Sequence, residues 1–587
     1  MESYIDQLKD FIDAECDAQN KQVEDIWALT IDERIELGHA IDNITVWTVL
    51  DGIDWSRRGR AFLKLSYNNS NLRAGSRIRL HKGDPEINYF CCEVTKEHPG
   101  YYEIKASYGC NLVNITHNSS GWILDPDRID LRHMLKNTVE SVLHTPFGND
   151  IFGQLKGMIA PVVTTYNSDL VETNMKQYGF NQSQSIAFTN ALHTSNYYTI
   201  QGPPGTGKTM VLAYLALYLA KQGKNVLITA FTHRAINNAL RKVRSLESYR
   251  KMFKIGPIEQ AEDLITESFT IDNFEYFIQS PYNSLNTGII VGASPMSLRS
   301  KRVGSLRFDV AIIDEAGQLT QPLAISVMLS CVQTVWIGDH KQMPPVLVAS
   351  HTEKEVIRSA FECLTEKYNG TMLRTTYRMN EIINSIPSRY FYNDGLKSAD
   401  VIAKNRIRLR DVEPRFSFLS DPDLASVFIE TNHSRCKVQS KKEALVIRQL
   451  SEVLINAGMP PENIGVVTPY RAHARLVSQH LSEINCKEKQ VDLSSIVVDT
   501  VERMQGQERE VIFFSLVISS LDHISHGIDF YFNLNRWNVA MTRAKTKMIW
   551  VGNPNVFTQL KQRFPNDNKM MTFCDIVESL PKVHTSK

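Results

Sequence analysis

The sequence predicts an α/β protein of two parallel-sheet domains in tandem, preceded by a helical stalk and a small β-barrel. Three observations carry this reading. From about residue 166 onward, short apolar runs alternate with helix-compatible stretches, the rhythm of parallel strands covered by helices on both faces. Between about residues 46 and 125 the texture is different: short alternating runs such as Ala61-Phe-Leu-Lys-Leu65 and Ser76-Arg-Ile-Arg-Leu80, punctuated by Gly59, Gly75, Gly83, Pro85, Gly100 and Gly109. At 587 residues, the chain also exceeds what one hydrophobic core supports.

In order along the chain, residues 1–45 show helical spacing of apolar residues (Tyr4, Leu8, Phe11, Ile12) among many carboxylates, and contain no proline, which predicts a stalk helix packed on another element. Residues 46–125 form the barrel, and 126–165 a second stalk helix, roughly Leu131 to Leu143, with a linker around Pro161. The first sheet domain spans 166–395, with strands expected at Tyr197–Ile200, Val226–Ala230, Ile289–Val291, Val310–Ile313 and Val335–Ile337. Residues 243–287 break its rhythm and predict a helical insertion. The second sheet domain spans 396–575, with strands at Ile464–Val467, Val511–Val517 and Met548–Val551, followed by a tail at 576–587. Two such domains in tandem suggest a ligand site between them.

Lys+Arg at 65 balance Asp+Glu at 64, so the net charge of +1 gives no global case for nucleic-acid binding; any such surface must be local. The nine cysteines are scattered, and only the neighbours Cys91 and Cys92 are close, which argues against a zinc module or a disulfide framework and for a reducing compartment. The acidic start lacks a signal-peptide pattern and no apolar run reaches the length of a membrane span. The expectation is an intracellular, cytoplasmic protein with no membrane partner.

The chemistry is concentrated in Gly202-Pro-Pro-Gly205-Thr-Gly207-Lys208-Thr209, which follows a strand and opens an apolar helix. Glycines let successive N–H groups turn toward a phosphate, and the helix start is positive. Lys208 can reach the β- and γ-phosphates, and Thr209 can hold Mg²⁺. The strand context favours this over a Gly-rich structural turn. Asp309-Val-Ala-Ile-Ile313-Asp314-Glu315 places two carboxylates at a strand's C-terminal end, where Asp314 would help hold Mg²⁺ and Glu315 take a proton from the attacking water. Alone, the pair would equally be a solvated helix start. Val335-Trp-Ile-Gly338-Asp339-His340-Lys341-Gln342 repeats the geometry before Pro344-Pro345. There Gln342 can report the γ-phosphate while the prolines stiffen the loop.

In this order the motifs resemble those of superfamily 1 helicases, in the 1B branch containing the nonsense-decay helicase, Senataxin and the immunoglobulin-mu-binding helicase. The likeness covers roughly residues 175–555 and makes the two sheet domains RecA-like. Phe180-Asn-Gln-Ser-Gln184 resembles the adenine-reading Q motif, Asp314-Glu-Ala-Gly-Gln318 motif II and Gly338-Asp-His-Lys-Gln342-Met-Pro-Pro345 motif III. Leu373-Arg-Thr-Thr-Tyr377-Arg378-Met resembles the tyrosine-arginine motif, Val498-Asp-Thr500-Val-Glu-Arg-Met-Gln505-Gly506-Gln-Glu508 motif V, and Asn538-Val-Ala-Met-Thr-Arg543-Ala-Lys motif VI.

The resemblance implies that Gln184 reads the adenine edge, Tyr377 stacks on its face, Gly506 and Glu508 serve the nucleotide's ribose side, and Arg378 and Arg543 act as arginine fingers from the second domain. Without the motif frame each arginine would be a surface salt bridge. Thr232 and His233 (motif Ia), Pro344, Thr468, Tyr470 and Arg471 (motif IV) and Thr500 would line a groove for single-stranded DNA or RNA. Two basic clusters are candidates for the same strand or for a solvated face: Arg57, Arg58, Arg60, Lys64, Arg73, Arg77, Arg79 and Lys82, and Arg241, Lys242, Arg244, Arg250, Lys251 and Lys254. The barrel and stalk resemble the branch's accessory barrel, and 243–287 a reduced second accessory domain.

Ser440 stands where the family often has Asn before Glu443-Ala444, and neither the branch's cysteine- and histidine-rich regulatory domain nor a nuclease domain is visible. The expected activity is ATP-dependent, Mg²⁺-requiring 5′ to 3′ translocation or unwinding, regulated by protein partners. The rivals are an ATP-switched nucleic-acid clamp or ribonucleoprotein scaffold, and a P-loop ATPase acting on protein alone.

Overall fold

In the computed structural model the described residues are 2–50, 59–68, 70–98, 100–107, 109–112, 115–282, 287–304, 306–485, 492–524 and 527–583, with only the backbone of 48–50. Arg57 and Arg58 of the first basic cluster lie outside them.

The N-terminal helix Glu2–Trp27 buries Tyr4, Ile5, Leu8, Phe11, Ile12 and Cys16. This stripe at three- and four-residue spacing joins Val139, Val142, Ile151 and Leu155 in the first sheet domain's core. The stalk is therefore fused to that domain. Its second half comprises the helices Arg132–Ser141 and Gly148–Leu155.

The barrel begins at Ile41, slightly before the expected boundary. Its six strands, β1 (Ile41–Leu50), β2 (Arg60–Lys64), β3 (Arg77–His81), β4 (Phe90–His98), β5 (Tyr101–Ala106) and β6 (Ser119–Pro126), close in the order β1-β2-β5-β4-β3-β6. All pairs are antiparallel. Alternating residues such as Ile44, Leu63, Ile78, Leu80, Val94, Ile104 and Leu124 fill the interior, as a closed barrel requires. Closure leaves no strand edge to pair with another chain.

The first sheet contains β7 (Tyr197–Gln201), β8 (Val226–Thr229), β9 (Met252–Ile255), β10 (Asp272–Phe274), β11 (Ile290–Ala293), β12 (Phe308–Ile313), β13 (Cys331–Gly338) and β14 (Thr371–Met372). They run in the order β10-β9-β11-β8-β12-β13-β7-β14, all parallel. The expected helical insertion at 243–287 is corrected here. Its Met252–Ile255 is wholly buried, Lys254 included, and pairs with β11, so the segment extends the sheet by β9 and β10, joined by single 3₁₀ turns. The charged Lys254 interrupts the run, so it does not read as a buried strand in the sequence.

A two-stranded link, β15 (Thr375–Thr376) with β16 (Lys397–Ser398), joins the domains. The second sheet contains β17 (Ser426–Glu430), β18 (Ile464–Thr468), β19 (Val497–Thr500), β20 (Arg509–Ser515), β21 (Ala544–Gly552) and β22 (Lys582–Val583), in the parallel order β19-β18-β20-β21-β17-β22. Two expected boundaries shift. The helix Glu381–Tyr392 packs through Ile383, Phe391 and Tyr392 into the second core, so the second domain starts before residue 396. Residues 576–583 are no tail: Ile576 and Val577 are core and β22 adds an edge strand.

Candidate active site and nucleic-acid interface

The loop after β7 has the conformation that phosphate binding needs. Gly207, at φ 81°, caps the helix Lys208–Lys221 without any side-chain cap, leaving the first N–H groups of that helix to an anion. Gly205 sits at φ 74°, and a Cβ there would fall 2.5 Å from Cβ of Arg378. No other residue fits. Lys208 Nζ donates to the Gly202 carbonyl at 2.6 Å, lying folded over the loop it serves.

At the end of β12, Asp314 is buried while Glu315 is half exposed, in the left-handed conformation at φ 49°. A left-handed backbone is uncommon in a non-glycine residue, and Glu315 lies close enough for its charge to act on Asp314. Burial, then the charge of Glu315, push the Asp314 carboxyl up to about 7 against the pull of Lys208. Two carboxylates sharing one nearby lysine suit a hard divalent cation such as Mg²⁺, which Asp314 and the Thr209 hydroxyl would hold and which would supply charge neutralisation for phosphates.

Across the cleft, Tyr377 N–H donates to the Gly205 carbonyl at 2.8 Å, and Thr376 Oγ1 donates to the Pro204 carbonyl at 2.9 Å. Arg378 therefore starts from a backbone seated on the phosphate loop, not from within the second domain as expected. Its side chain crosses instead: Nε donates to Glu508 Oε2 at 2.6 Å and Nη1 to the Thr542 carbonyl at 3.1 Å. Glu508 also takes Lys545 Nζ at 3.1 Å. Despite its burial, these two cations hold the Glu508 carboxyl below the usual range. Arg543 is buried, donates to Val539 and Gln507 carbonyls at 2.8 and 3.5 Å, and is pushed down to about 9 by burial and by Arg378. Gln505 Nε2 reaches Glu315 Oε2 at a long 3.5 Å. Gly506, at φ 77°, turns the chain between these two contacts.

Gln184 is tied at both ends of its amide: Oε1 accepts from Asn181 N–H at 3.0 Å, completing a capping box, and Nε2 donates to the Thr206 carbonyl at 3.0 Å. In this arrangement it braces the phosphate loop. Asn181, which sequence reasoning passed over, donates to the Tyr377 hydroxyl at 3.0 Å, and Tyr377 is 45% exposed. Gln342 is buried and donates to Asp339 Oδ2 at 2.7 Å. Asp339 and Tyr392 were also missed as site residues; Asp339 stood inside a motif, but nothing in the Tyr390-Phe-Tyr392 run marks its last ring as special.

The candidate strand contacts divide into two groups. Tyr470, Arg471 and Thr500 line one cleft of about 470 Å³ in the second domain, with Phe530, Arg503 and Glu502. Tyr470 is the N-cap of the helix Arg471–Ser482, and Tyr470, Arg471 and Ala472 place this helix start on the cleft. Thr468 is fully buried at the end of β18 and does not line that cleft. On the first domain, Thr232 caps the helix His233–Leu246 by accepting from Ala235 N–H at 3.2 Å, and His233 is pushed down to about 4 by burial and by Lys254. Pro344 is half buried. The basic clusters are partly structural: Arg79 pairs with Asp127 at 2.6 Å and lies between the Trp27 and Tyr89 rings, Lys254 is buried on the Gln260 carbonyl, and Arg60 pairs with Glu259.

Two AAA-domain families match this chain, one over residues 179–360 and the other over 356–555, which are the two sheet domains. Among curated relatives, the DNA replication ATP-dependent helicase/nuclease dna2 of Schizosaccharomyces pombe is 28% identical over 419 residues, covering 66% of this chain and 28% of the relative. DNA2 of Bos taurus is 26% identical over 580 residues, 91% of this chain and 53% of the relative. A regulator of nonsense transcripts 1 homolog of Neurospora crassa is 27% identical over 416 residues, 64% and 37%. The chain thus spans about half or less of the length of these relatives. The arterivirus nonstructural protein 10 helicase solved with DNA aligns at 14% identity and TM-score 0.40, over 84% of this chain and 76% of that one.

Each match to a family model is to an AAA domain, and the curated relatives are named as ATP-dependent helicase/nucleases or as a regulator of nonsense transcripts. The narrower nonsense-decay branch is not confirmed, because replication helicase/nucleases match over as much of the chain at similar identity. Among the described residues, no helix is long and apolar enough to cross a membrane.

Proposed function

We propose that this chain is an ATP-dependent motor that translocates on single-stranded nucleic acid in the 5′ to 3′ direction and unwinds duplex ahead of it. The observation that carries it is Arg378. Its backbone is seated on the phosphate loop while its guanidinium grips Glu508 and Thr542 of the second domain. Groups that serve phosphoryl transfer are thereby divided between two domains joined by the β15–β16 link, so hydrolysis and domain movement are linked.

In this reading Lys208 and the loop N–H groups bind the phosphates, Thr209 and Asp314 hold Mg²⁺, and Glu315 accepts the proton of the attacking water. Gln342 reports the γ-phosphate, and Arg378 and Arg543 meet the charge of the transferring group once the Glu508 pairing opens. Tyr377 offers its exposed face to the base, with Gln184 beside it. Tyr470, Arg471 and Thr500, with Thr232, His233 and Pro344, belong to a strand path across both domains, with the buried Thr468 behind it and protein partners regulating access to it.

The test is steady-state ATP hydrolysis without nucleic acid, with single-stranded DNA and with single-stranded RNA, using Glu315→Gln as the blank. Stimulation by a strand supports the motor and its preference narrows the substrate. Glu315-dependent hydrolysis that no strand changes would remove the strand path. A strand-displacement assay on a 5′-tailed duplex then separates motor from clamp: binding and hydrolysis without displacement make the protein a clamp.

A further inference from the structure

Between the two domains lies a buried hydrogen-bond bridge that none of the motif roles uses. Asp339, 2% exposed, accepts from four donors: Gln201 Nε2 at the end of β7 (3.1 Å), its own loop's Lys341 N–H (3.2 Å), Gln342 Nε2 (2.7 Å) and the Tyr392 hydroxyl (2.7 Å). The first three belong to the first domain. Tyr392 belongs to the second, on the last turn of the helix Glu381–Tyr392. Its oxygen in turn accepts from Asn538 Nδ2 at 2.9 Å, and the same Asn538 amide donates to the Lys341 carbonyl at 2.8 Å. Asn538 is fully buried on the helix Leu534–Met541, two residues beyond which stands Arg543.

The chemistry of the bridge is directional. Asp339 only accepts, Asn538 Nδ2 only donates, and a phenol hydroxyl between them does both, so a tyrosine completes the chain and a phenylalanine cannot. Burial and the Asp339 charge keep the Tyr392 phenol protonated, as this donor role demands. One atom thus ties the carboxylate that holds Gln342 to the helix Leu534–Met541, which ends two residues before Arg543.

We infer that Tyr392 is a positioning residue for ATP hydrolysis: its hydroxyl sets the helix Leu534–Met541, and with it the following Arg543, against the Gln342 loop, so that the γ-phosphate sensor and the arginine finger reach the nucleotide in register. The inference rests on the proposed ATPase reading of this cleft, though not on which strand stimulates it. It predicts a loss in the chemical step without a loss in nucleotide affinity, because Tyr392 and Asn538 are buried, with the phenol oxygen and the amide nitrogen on protein partners, and hold none of the proposed nucleotide-binding roles.

The experiment is steady-state kinetics of Tyr392→Phe on the full chain. kcat is expected to fall about ten-fold with KM for ATP changed by less than about two-fold. In an Arg543→Ala background the same substitution should have no further effect, since its influence runs through that guanidinium. An unchanged kcat in Tyr392→Phe, or an equal additional loss in the Arg543→Ala background, would overturn the inference. Should Tyr392→Phe unfold, Asn538→Ala cuts the same bridge from the other end, and must reproduce the kcat loss and its dependence on Arg543. Failure of the motor reading looks different: wild-type hydrolysis that is Glu315-dependent but indifferent to strands removes the motor and leaves this test intact.

Discussion

At the scale of single residues, the phosphate loop and the end of β12 make the sharpest predictions. Lys208→Ala removes the cation over the loop, and Glu315→Gln keeps shape while removing the base. Each is expected to lower hydrolysis at least ~100-fold with the thermal midpoint essentially unmoved, checked by phosphate release and calorimetry on the same samples. Turnover at the wild-type rate in folded Glu315→Gln would disqualify it as the base.

A second residue-scale prediction concerns stability. His473 is buried between the Ser440 N–H, which its Nδ1 accepts at 3.3 Å, and the Ser515 hydroxyl at 2.8 Å from Nε2; Ser515 donates onward to Glu443, which also faces His433. That pattern fits the neutral ring with its proton on Nε2. Burial, despite the Glu443 charge, pushes His473 from 6.5 down to about 4. The unfolded chain therefore binds a proton that the folded one refuses. Stability contributed by the neutral ring is full above about 6.5 and falls as pH drops toward about 4, by roughly 3 kcal/mol in all. His473→Gln should lose less stability than wild type over that window in pH-resolved denaturation; equal losses would contradict the assignment.

Among elements, the stalk helix Glu2–Trp27 makes an unexpected contact. Glu15 accepts from Val348 N–H at 3.0 Å, Ala349 N–H at 3.0 Å and His351 Nε2 at 2.7 Å, and the His351 ring stacks on Phe11 at 4.7 Å. The stalk thereby fastens the segment that leaves the Gln342 loop. Glu15→Ala strands two backbone donors and should weaken this docking by about 1.5–3 kcal/mol. Faster hydrogen exchange at residues 345–351, with β13 unaffected, is the expected result, and unchanged protection there would show the contact to be idle.

For the whole molecule, the barrel is braced to both sheet domains. Glu259 of the first domain meets Arg60 and Lys105 at 3.4 and 3.5 Å, and Arg475 of the second donates to Asn71 at 3.2 Å. The cleft itself is spanned by Arg378–Glu508 and the Tyr392 bridge. Arg378→Ala should leave nucleotide binding within a few-fold while lowering strand-stimulated kcat by ~1,000-fold or more, measured by fluorescent-nucleotide titration beside turnover. Parallel losses in both would make Arg378 a binding group.

What the sequence determined by itself is local in origin. Every strand expected from an apolar run is present, because a run buried on both faces announces itself without reference to neighbours. The phosphate loop was legible because its glycines answer a backbone demand made within a few residues, as at Gly205. What only the tertiary structure decided depends on partners far apart in the chain. Met252–Ile255 became a strand by pairing with β11, Arg79 and Lys254 were drawn from candidate contacts into internal partnerships, and Arg378 proved to start on one domain and end on the other. Glu15 meets a loop more than 300 residues away, and Tyr392 joins Asp339 to Asn538. A hydrogen bond between distant segments leaves no period, spacing or composition in either of them, so such residues become visible only when the fold brings them together.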